Sequence, residues 1–253
     1  SHRRIRVELN PAHPLFYLSP SAESLLDVGC NVGASLESAY YLGVEKLAGI
    51  EINPTAVQIA KAKLSHVPGC LVVQGSADAL PFPSKTYAQV LCSDVLEHVP
   101  AEDRVKVIQE VHRVLKEKGN LILTVPYHGL FSALDSENMR FRLPRLYHWV
   151  SNFLGGRSRD EGFHQQKHGV VWHHHFSKAE LDSLFSSLFE IQLMRWRGAF
   201  LTPFCDYILF PFYRRKKTEN WFFKWVERIK QWDMRTQYGS FFAYNVLILL
   251  KKK

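Results

Sequence analysis

Between Leu25 and Val125, short apolar runs alternate with stretches whose apolar positions recur at helical spacing, the rhythm of β-α units around a parallel sheet. The runs predict strands at Leu25–Val28, Lys46–Glu51, Leu71–Gln74, Ala88–Cys92 and Asn120–Val125. Pro54 suits the first turn of a helix through Leu64. Val107, Ile108, Val111, Val114 and Leu115 mark the inner face of a second helix over Asp103–Leu115. Each crossover is expected to be right-handed. Past Pro126 the rhythm breaks, and residues 127–176, rich in His, Arg, Gly and aromatics, read as an insertion. Ser177-Lys178-Ala179-Glu180 then has the form of a capping box opening a helix through Leu188, and Glu190–Trp196 reads as a sixth strand. A second insertion, 198–237, precedes an apolar run at Phe241–Leu250 that predicts a seventh. The expected fold class is α/β, a doubly wound, mostly parallel seven-stranded sheet forming a single domain over 1–253.

Composition narrows the setting. The 253 residues are 46% hydrophobic, enough for a full core. No apolar run reaches the roughly 18 residues that span a bilayer, and the first residues do not have the form of a secretory signal, so the expectation is a soluble, cytoplasmic protein. Cys30, Cys70, Cys92 and Cys205 form no C-x-x-C pair and are expected to be reduced thiols. The net charge of +8 is local: residues 1–194 carry 19 Lys and Arg against 20 Asp and Glu, whereas 195–253 carry 13 against 4. An acidic surface, a nucleic acid or an acidic substrate would complement that last quarter.

The strongest local signal is Leu25-Leu26-Asp27-Val28-Gly29-Cys30-Asn31-Val32-Gly33, a buried strand running into a glycine-bearing turn at the start of a helix. In a doubly wound sheet, ligands sit beyond the C-terminal ends of the strands, where glycine lets the backbone come close. Glu51 ends the second strand, placed to accept hydrogen bonds from ribose hydroxyls. A nicotinamide dinucleotide would be served equally well by these two features alone.

Four stretches decide between the cofactors: LLDVGCNVG, GIEINPTAVQIAKAK, VVQGSADALPFPSKTYAQVLCSDVLEHV and VHRVLKEKGNLILTVP. In this order and spacing, over residues 24–126, the chain resembles the class I S-adenosylmethionine-dependent methyltransferases, specifically their small-molecule branch called methyltransferase type 11. The resemblance implies a Rossmann-like fold, S-adenosyl-L-methionine as cofactor and S-adenosyl-L-homocysteine as product. It implies that Asp27 and Gly29 hold the methionine portion, Glu51 the ribose, and Ala77 and Asp78 the adenine, while Ser93 and Asp94 lie beside the sulfonium and amino group; Asn31, Gly33 and Ile52 complete the cofactor-binding set. Asn31 stands where the family usually has glycine; asparagine tolerates positive φ better than most residues, so the turn survives.

Methyl transfer from a sulfonium is an in-line displacement governed by positioning, and a base is needed only for a weakly acidic acceptor. The candidate bases are His98, His128, His173 and His175. Within Asp94-Val95-Leu96-Glu97-His98, the histidine is either a plain helix-start residue or, with Asp94 and Glu97, a ligand to a divalent ion; no metal is assigned. His164, His168, His173, His174 and His175, with Trp172, read as a polar lid or less readily as a zinc site. In the second insertion, Phe204, Tyr207, Ile208, Leu209, Phe210 and Phe212 precede the basic run Arg214–Lys217. They are expected to dip into a membrane interface while the cations meet anionic headgroups, giving a peripheral membrane location. Nucleic-acid binding and simple packing on the sheet are the other readings. The expected function is methylation of a small, lipophilic acceptor under a lid formed by the two insertions over the cofactor edge. The alternatives are an RNA or protein methyltransferase using the basic C-terminal region, or a non-catalytic binding module that keeps the fold.

Overall fold

The computed structural model describes residue 11 and residues 13–19, 23–134, 174–214 and 219–253; of residues 133, 134, 207 and 210–214 it describes the backbone alone. One sheet holds β1 (Ser24–Val28), β2 (Lys46–Glu51), β3 (Leu71–Gln74), β4 (Tyr87–Ser93), β5 (Leu115–Pro126), β6 (Phe189–Arg197) and β7 (Asn245–Lys252), in the order β3-β2-β1-β4-β5-β7-β6. The first five strands are parallel, and β7 runs antiparallel to both β5 and β6, so β6 points the same way as the first five.

Alternation along each central strand divides the core into two layers. Leu26, Val28, Val90, Cys92, Leu121 and Leu123 face one side, with Val107, Ile108 and Val111 of α3 (Ala101–Val114) and Leu181 and Phe185 of α4 (Lys178–Phe185). Leu25, Leu91 and Ile122 face the other, with Leu36 and Ala39 of α1 (Ala34–Tyr41), Val57 and Ala60 of α2 (Pro54–Lys63), and Leu15 from the 3-10 turn Pro14–Tyr17. Local chemistry fixes the helix starts. Asn53 Oδ1 accepts from the Thr55 and Ala56 amides ahead of α2. The capping box expected at Ser177 is present, with Glu180 accepting from the Ser177 amide at 2.7 Å and returning its own amide to Ser177 Oγ at 3.3 Å.

Three expectations need correction. The seventh strand begins at Asn245 instead of Phe241, because Asn245 faces Pro126 and Arg197, the last residues of both neighbours, and no ladder is available beyond them. The helix after Ser177 stops at Phe185, short of Leu188. The second insertion is a helical hairpin, α5 (Leu201–Arg214) and α6 (Trp221–Arg235), and it has a core of its own. There Cys205 and Leu209, with Ile208 half-buried, pack on Phe223 and Val226, so Ile208 and Leu209 are not placed to enter a bilayer. Phe204 remains 49% exposed. The side chains of Tyr207, Phe210, Phe212 and the run Arg214–Lys217 lie outside the described residues, as do His164, His168, Trp172 and His173.

Candidate functional site

The turn after β1 is built around three residues in left-handed backbone: Gly29 at φ 75°, Asn31 at 47° and Gly33 at 79°. The Gly29 and Cys30 amides both donate to Ile50 O, at 2.8 and 3.0 Å, which ties the turn to the end of β2. A β-carbon at Gly29 would overlap Val95 Cγ2, so the close approach of the chain after β4 excludes any side chain there. Asn31 takes the positive φ as its chemistry allows, and its amide donates to Glu51 Oε2 at 2.9 Å. The Asn53 amide donates to Glu51 Oε1 at the same distance. Two backbone donors therefore aim the carboxylate, and each oxygen keeps a further lone-pair site for a ribose hydroxyl.

Asp27, at the end of β1, is 3% exposed. Burial, and secondarily the charge of Glu51, pushes its carboxyl up to about 8. A cation arriving here would restore the ionised form, so two carboxylates at the ends of the neighbouring strands β1 and β2 make a site suited to a cationic group on a ligand that also carries hydroxyls. Beside them Ile52 leaves an apolar side chain 44% exposed, a surface on which a flat ring can pack.

Past β3 the chain turns, with the Ala79 amide donating to Ser76 O, and this turn carries Ala77, packed against the core, and half-buried Asp78. Its position is set from α3, in a way the sequence did not signal. Glu110 Oε2 accepts from the Leu80 amide at 2.8 Å, while Arg113 donates to Leu80 O at 2.9 Å and Phe82 O at 2.8 Å. Glu110 and Arg113 also pair at 2.7 Å, so one buttress holds the loop from both sides.

Ser93 and Asp94 follow β4, where Asp94 has φ 54°. Ser93 Oγ lies 2.7 Å from Thr124 Oγ1, Thr124 donates to Asp94 Oδ1 at 3.1 Å, and Asn245 Nδ2 approaches the same oxygen at 3.4 Å. Asn245 Oδ1 in turn accepts from Arg197 Nε at 2.9 Å. A polar chain thus crosses β4, β5, β7 and β6 at one edge of the sheet. Burial lowers the Arg197 guanidinium's affinity for its proton and the charge of Asp94 opposes that shift. Thr124, Arg197 and Asn245 were not singled out in the sequence, because nothing local marks them.

Four described histidines, His98, His128, His174 and His175, lie on the segments that follow β4 and β5 or pair with them. His98 ends the 3-10 turn Leu96–His98 and is half-buried. His128 is exposed just past β5, its amide donating to Phe176 O at 2.9 Å. His175 is 9% exposed with its ring 5.9 Å from that of Tyr244. His174 turns to α4, its Nε2 3.0 Å from Glu180 Oε1, and burial, then the charge of Arg104, lowers its pKa. The divalent-ion reading of Asp94, Glu97 and His98 is not supported: Asp94 is exposed, Glu97 is 1% exposed, and no three metal-ligating side chains converge among the described residues.

Both insertions depart from this edge. The 3-10 turn Leu130–Leu134 follows β5 and α5 follows β6, and Phe131 and Phe200 meet with ring centroids 5.6 Å apart. Phe200 stacks on Phe204 at 5.7 Å, and Phe131 on Phe242 at 6.4 Å. Phe200, Phe204 and Phe242 are 44%, 49% and 46% exposed, forming an aromatic cluster where the two insertions begin.

The fold with its glycine turn and acid-tipped strands is that of the class I S-adenosylmethionine-dependent methyltransferases, Rossmann-like in topology. Residues 26–123 match the family model described as a methyltransferase domain, and the cofactor this match implies is S-adenosylmethionine. The chain is 31% identical over 156 residues to a ubiquinone biosynthesis O-methyltransferase of Xanthomonas oryzae pv. oryzae, an alignment covering 58% of this chain and 64% of that one. It is 30% identical over 101 residues to a sterol 4-C-methyltransferase of Caenorhabditis elegans, covering 39% and 29%. The chain thus spans about three fifths of the length of the first of these relatives. Among solved structures, a SAM-dependent methyltransferase of Methanosarcina mazei superposes with a TM-score of 0.56 at 22% identity, covering 96% of this chain and 99% of that one, a likeness of fold.

Proposed function

We propose that this protein transfers a methyl group from S-adenosylmethionine to a small, lipophilic acceptor that it meets at an anionic membrane surface on the cytoplasmic side. The observation that carries the reading is the coincidence, at one sheet edge, of the acid-lined glycine turn with the exposed rings of Phe200, Phe204 and Phe242, joined through half-buried Phe131. Names of the relatives support the acceptor class, one being a quinone-pathway and another a sterol enzyme.

The residues fit the cofactor: the Gly29 cradle admits no side chain, and Asp27 is a buried acid whose ionised form a cation would favour. When bound, the cofactor supplies an electrophilic methyl on its sulfonium. Asp27 and the Gly29–Gly33 turn hold its amino-acid portion, Glu51 accepts from the ribose hydroxyls with Ile52 against the adenine face, and Asp78 and the Ala77 amide take the adenine edge. Ser93 and Asp94 bound the cleft on the β4 side. The described starts of the two insertions, in contact through Phe131 and Phe200, would open a shared lid over this edge, the rest of the first insertion lying outside the described residues; holding acceptor against donor away from water supplies most of the rate advantage in such a displacement. His98, His128, His173 and His175 are the groups that would take a proton from an acceptor hydroxyl.

The test is titration with S-adenosylhomocysteine, followed by transfer of labelled methyl from S-adenosylmethionine to a panel of prenylated phenols and sterols. Glu51→Ala is expected to weaken homocysteine-product binding by about 1 to 3 kcal/mol, the cost of losing hydrogen bonds to a charged group. Unchanged affinity in that variant removes Glu51 from the site, and no binding by the unaltered protein overturns the function.

A further inference from the structure

Helix α6 has two apolar faces. Phe223 and Val226, with half-buried Phe222 and Ile229, turn inward to Cys205, Leu209 and Ile208 of α5. On the outer side, Trp221, Trp225 and Trp232 are 76%, 53% and 60% exposed. At ~100° per residue the three directions fall within about 40° of one another, a single stripe ~16 Å long. The remaining exposed positions of the helix are Lys224, Arg228, Gln231 and Arg235, which line one flank of the stripe. No acid within the helix is exposed: Glu227 is half-buried and Asp233 buried. Lys224 reaches back to Glu219 at 2.6 Å, ahead of the helix.

A solvated helix face rarely leaves three indoles in water. Indole combines a large apolar ring with one N–H donor, which suits the boundary between hydrocarbon and headgroups. The hairpin that presents them is rooted firmly at the mouth of the site. Asp233 accepts from the Ala199 and Thr202 amides at 2.8 Å, from Thr202 Oγ1 at 2.6 Å and from Tyr238 Oη at 2.5 Å, while Arg195 donates to Arg235 O at 3.3 Å.

We propose that this face of α6 docks the protein on an anionic lipid bilayer, with Trp221, Trp225 and Trp232 at headgroup depth and Arg228 and Arg235 against lipid phosphates. The proposal deepens the membrane part of the proposed function by naming the contact surface, which moves from the apolar residues of α5 to the indoles of α6. A second copy of this chain complements the face less well. In a two-fold antiparallel pairing of α6, its midpoint residue Arg228 would lie on its own copy, guanidinium against guanidinium, whereas anionic lipid neutralises it. Docked this way, the protein holds the Phe200 end of the hairpin close to the surface from which a lipophilic acceptor would leave.

The experiment is sedimentation with phosphatidylcholine vesicles, with and without phosphatidylglycerol, for the full chain and the triple variant Trp221→Ala, Trp225→Ala, Trp232→Ala. Circular dichroism and S-adenosylhomocysteine affinity report that the variant keeps fold and site. Binding of the unaltered protein to the anionic vesicles, weakened tenfold or more in the variant and in Arg228→Glu, Arg235→Glu, is the expected result. Equal binding by unaltered and triple-variant protein overturns the docking face and leaves the membrane reading standing. No binding by the unaltered protein, with homocysteine-product affinity intact, overturns both membrane statements without touching the methyl-transfer reading. A dimer that the triple substitution dissociates assigns the face to a second copy and overturns the proposal.

Discussion

Asp27 ties stability to pH and, in the proposed site, to ligand binding. Its carboxyl is raised to about 8 by burial and by the charge of Glu51. The unfolded chain gives up this proton near pH 4, and the native, unliganded protein holds it until about 8. The unfolded state therefore binds fewer protons in this window, so the contribution of the group is full below pH 4 and is lost as pH rises to 8. Asp27→Asn removes the titration while keeping the shape. Its melting temperature relative to the unaltered protein is expected to climb between pH 5 and 8 in the absence of ligand; a pH-independent difference would show that Asp27 does not carry the shift. An ammonium beside Asp27 favours the carboxylate, and S-adenosylhomocysteine, whose sulfur is uncharged, still carries one on its amino-acid portion, so it should bind the unaltered protein more tightly as pH rises from 6 to 8. In Asp27→Asn that slope should flatten and affinity should fall about tenfold, roughly 1.4 kcal/mol.

Helix α3 does two jobs with its two sides. Val107, Ile108, Val111 and Val114 bury one side in the core, and the turn formed by Glu110 and Arg113 fastens the loop at 80–82 through three hydrogen bonds to its backbone. Charge-assisted bonds of this kind contribute about 1.5 to 3 kcal/mol each when intact, less where solvent reaches them. Arg113→Met retains much of the apolar stem and removes the donors. It is expected to weaken S-adenosylhomocysteine binding severalfold through Ala77 and Asp78, with a modest fall in melting temperature. Hydrogen exchange should speed up over 76–82 while α3 stays protected. Exchange rates that rise equally across the whole sheet would make the clamp a matter of global stability instead.

At the scale of the molecule, the two insertions start side by side, where β5 and β6 end and β7 begins. The contact between Phe131 and Phe200 joins the start of one insertion to the start of the other. If the two share a lid, Phe131→Ala and Phe200→Ala should each raise KM for a lipophilic acceptor several-fold, leave S-adenosylhomocysteine affinity unchanged, and combine less than additively because the rings touch. Additive effects in the double variant would mean that the insertions act separately. The hairpin α5–α6 has its own small core at Leu209 and Phe223, so truncating either mouth residue should leave that core in place.

Strands β1 to β5, the capping box at Ser177 and the turn from Gly29 to Gly33 were legible because their signals are local: apolar runs of strand length, a Ser-x-x-Glu spacing, and residues able to take positive φ beside a strand end. Glu51 was legible for the same reason, standing where β2 stops. The ends of β7 were not, since Phe241 and Phe242 are as apolar as strand residues, and only the last residues of β5 and β6 determine where pairing ceases. Asn245 reaches Asp94 across a separation of 151 residues, and Arg113 reaches Leu80 across 33, so neither could be found by spacing along the chain. The second insertion shows the division most plainly. Its sequence determined that aromatic and basic residues are concentrated there, but Leu209 went inward and Trp221, Trp225 and Trp232 outward because burial belongs to a helix face, and which face is covered depends on the partner helix packed against it.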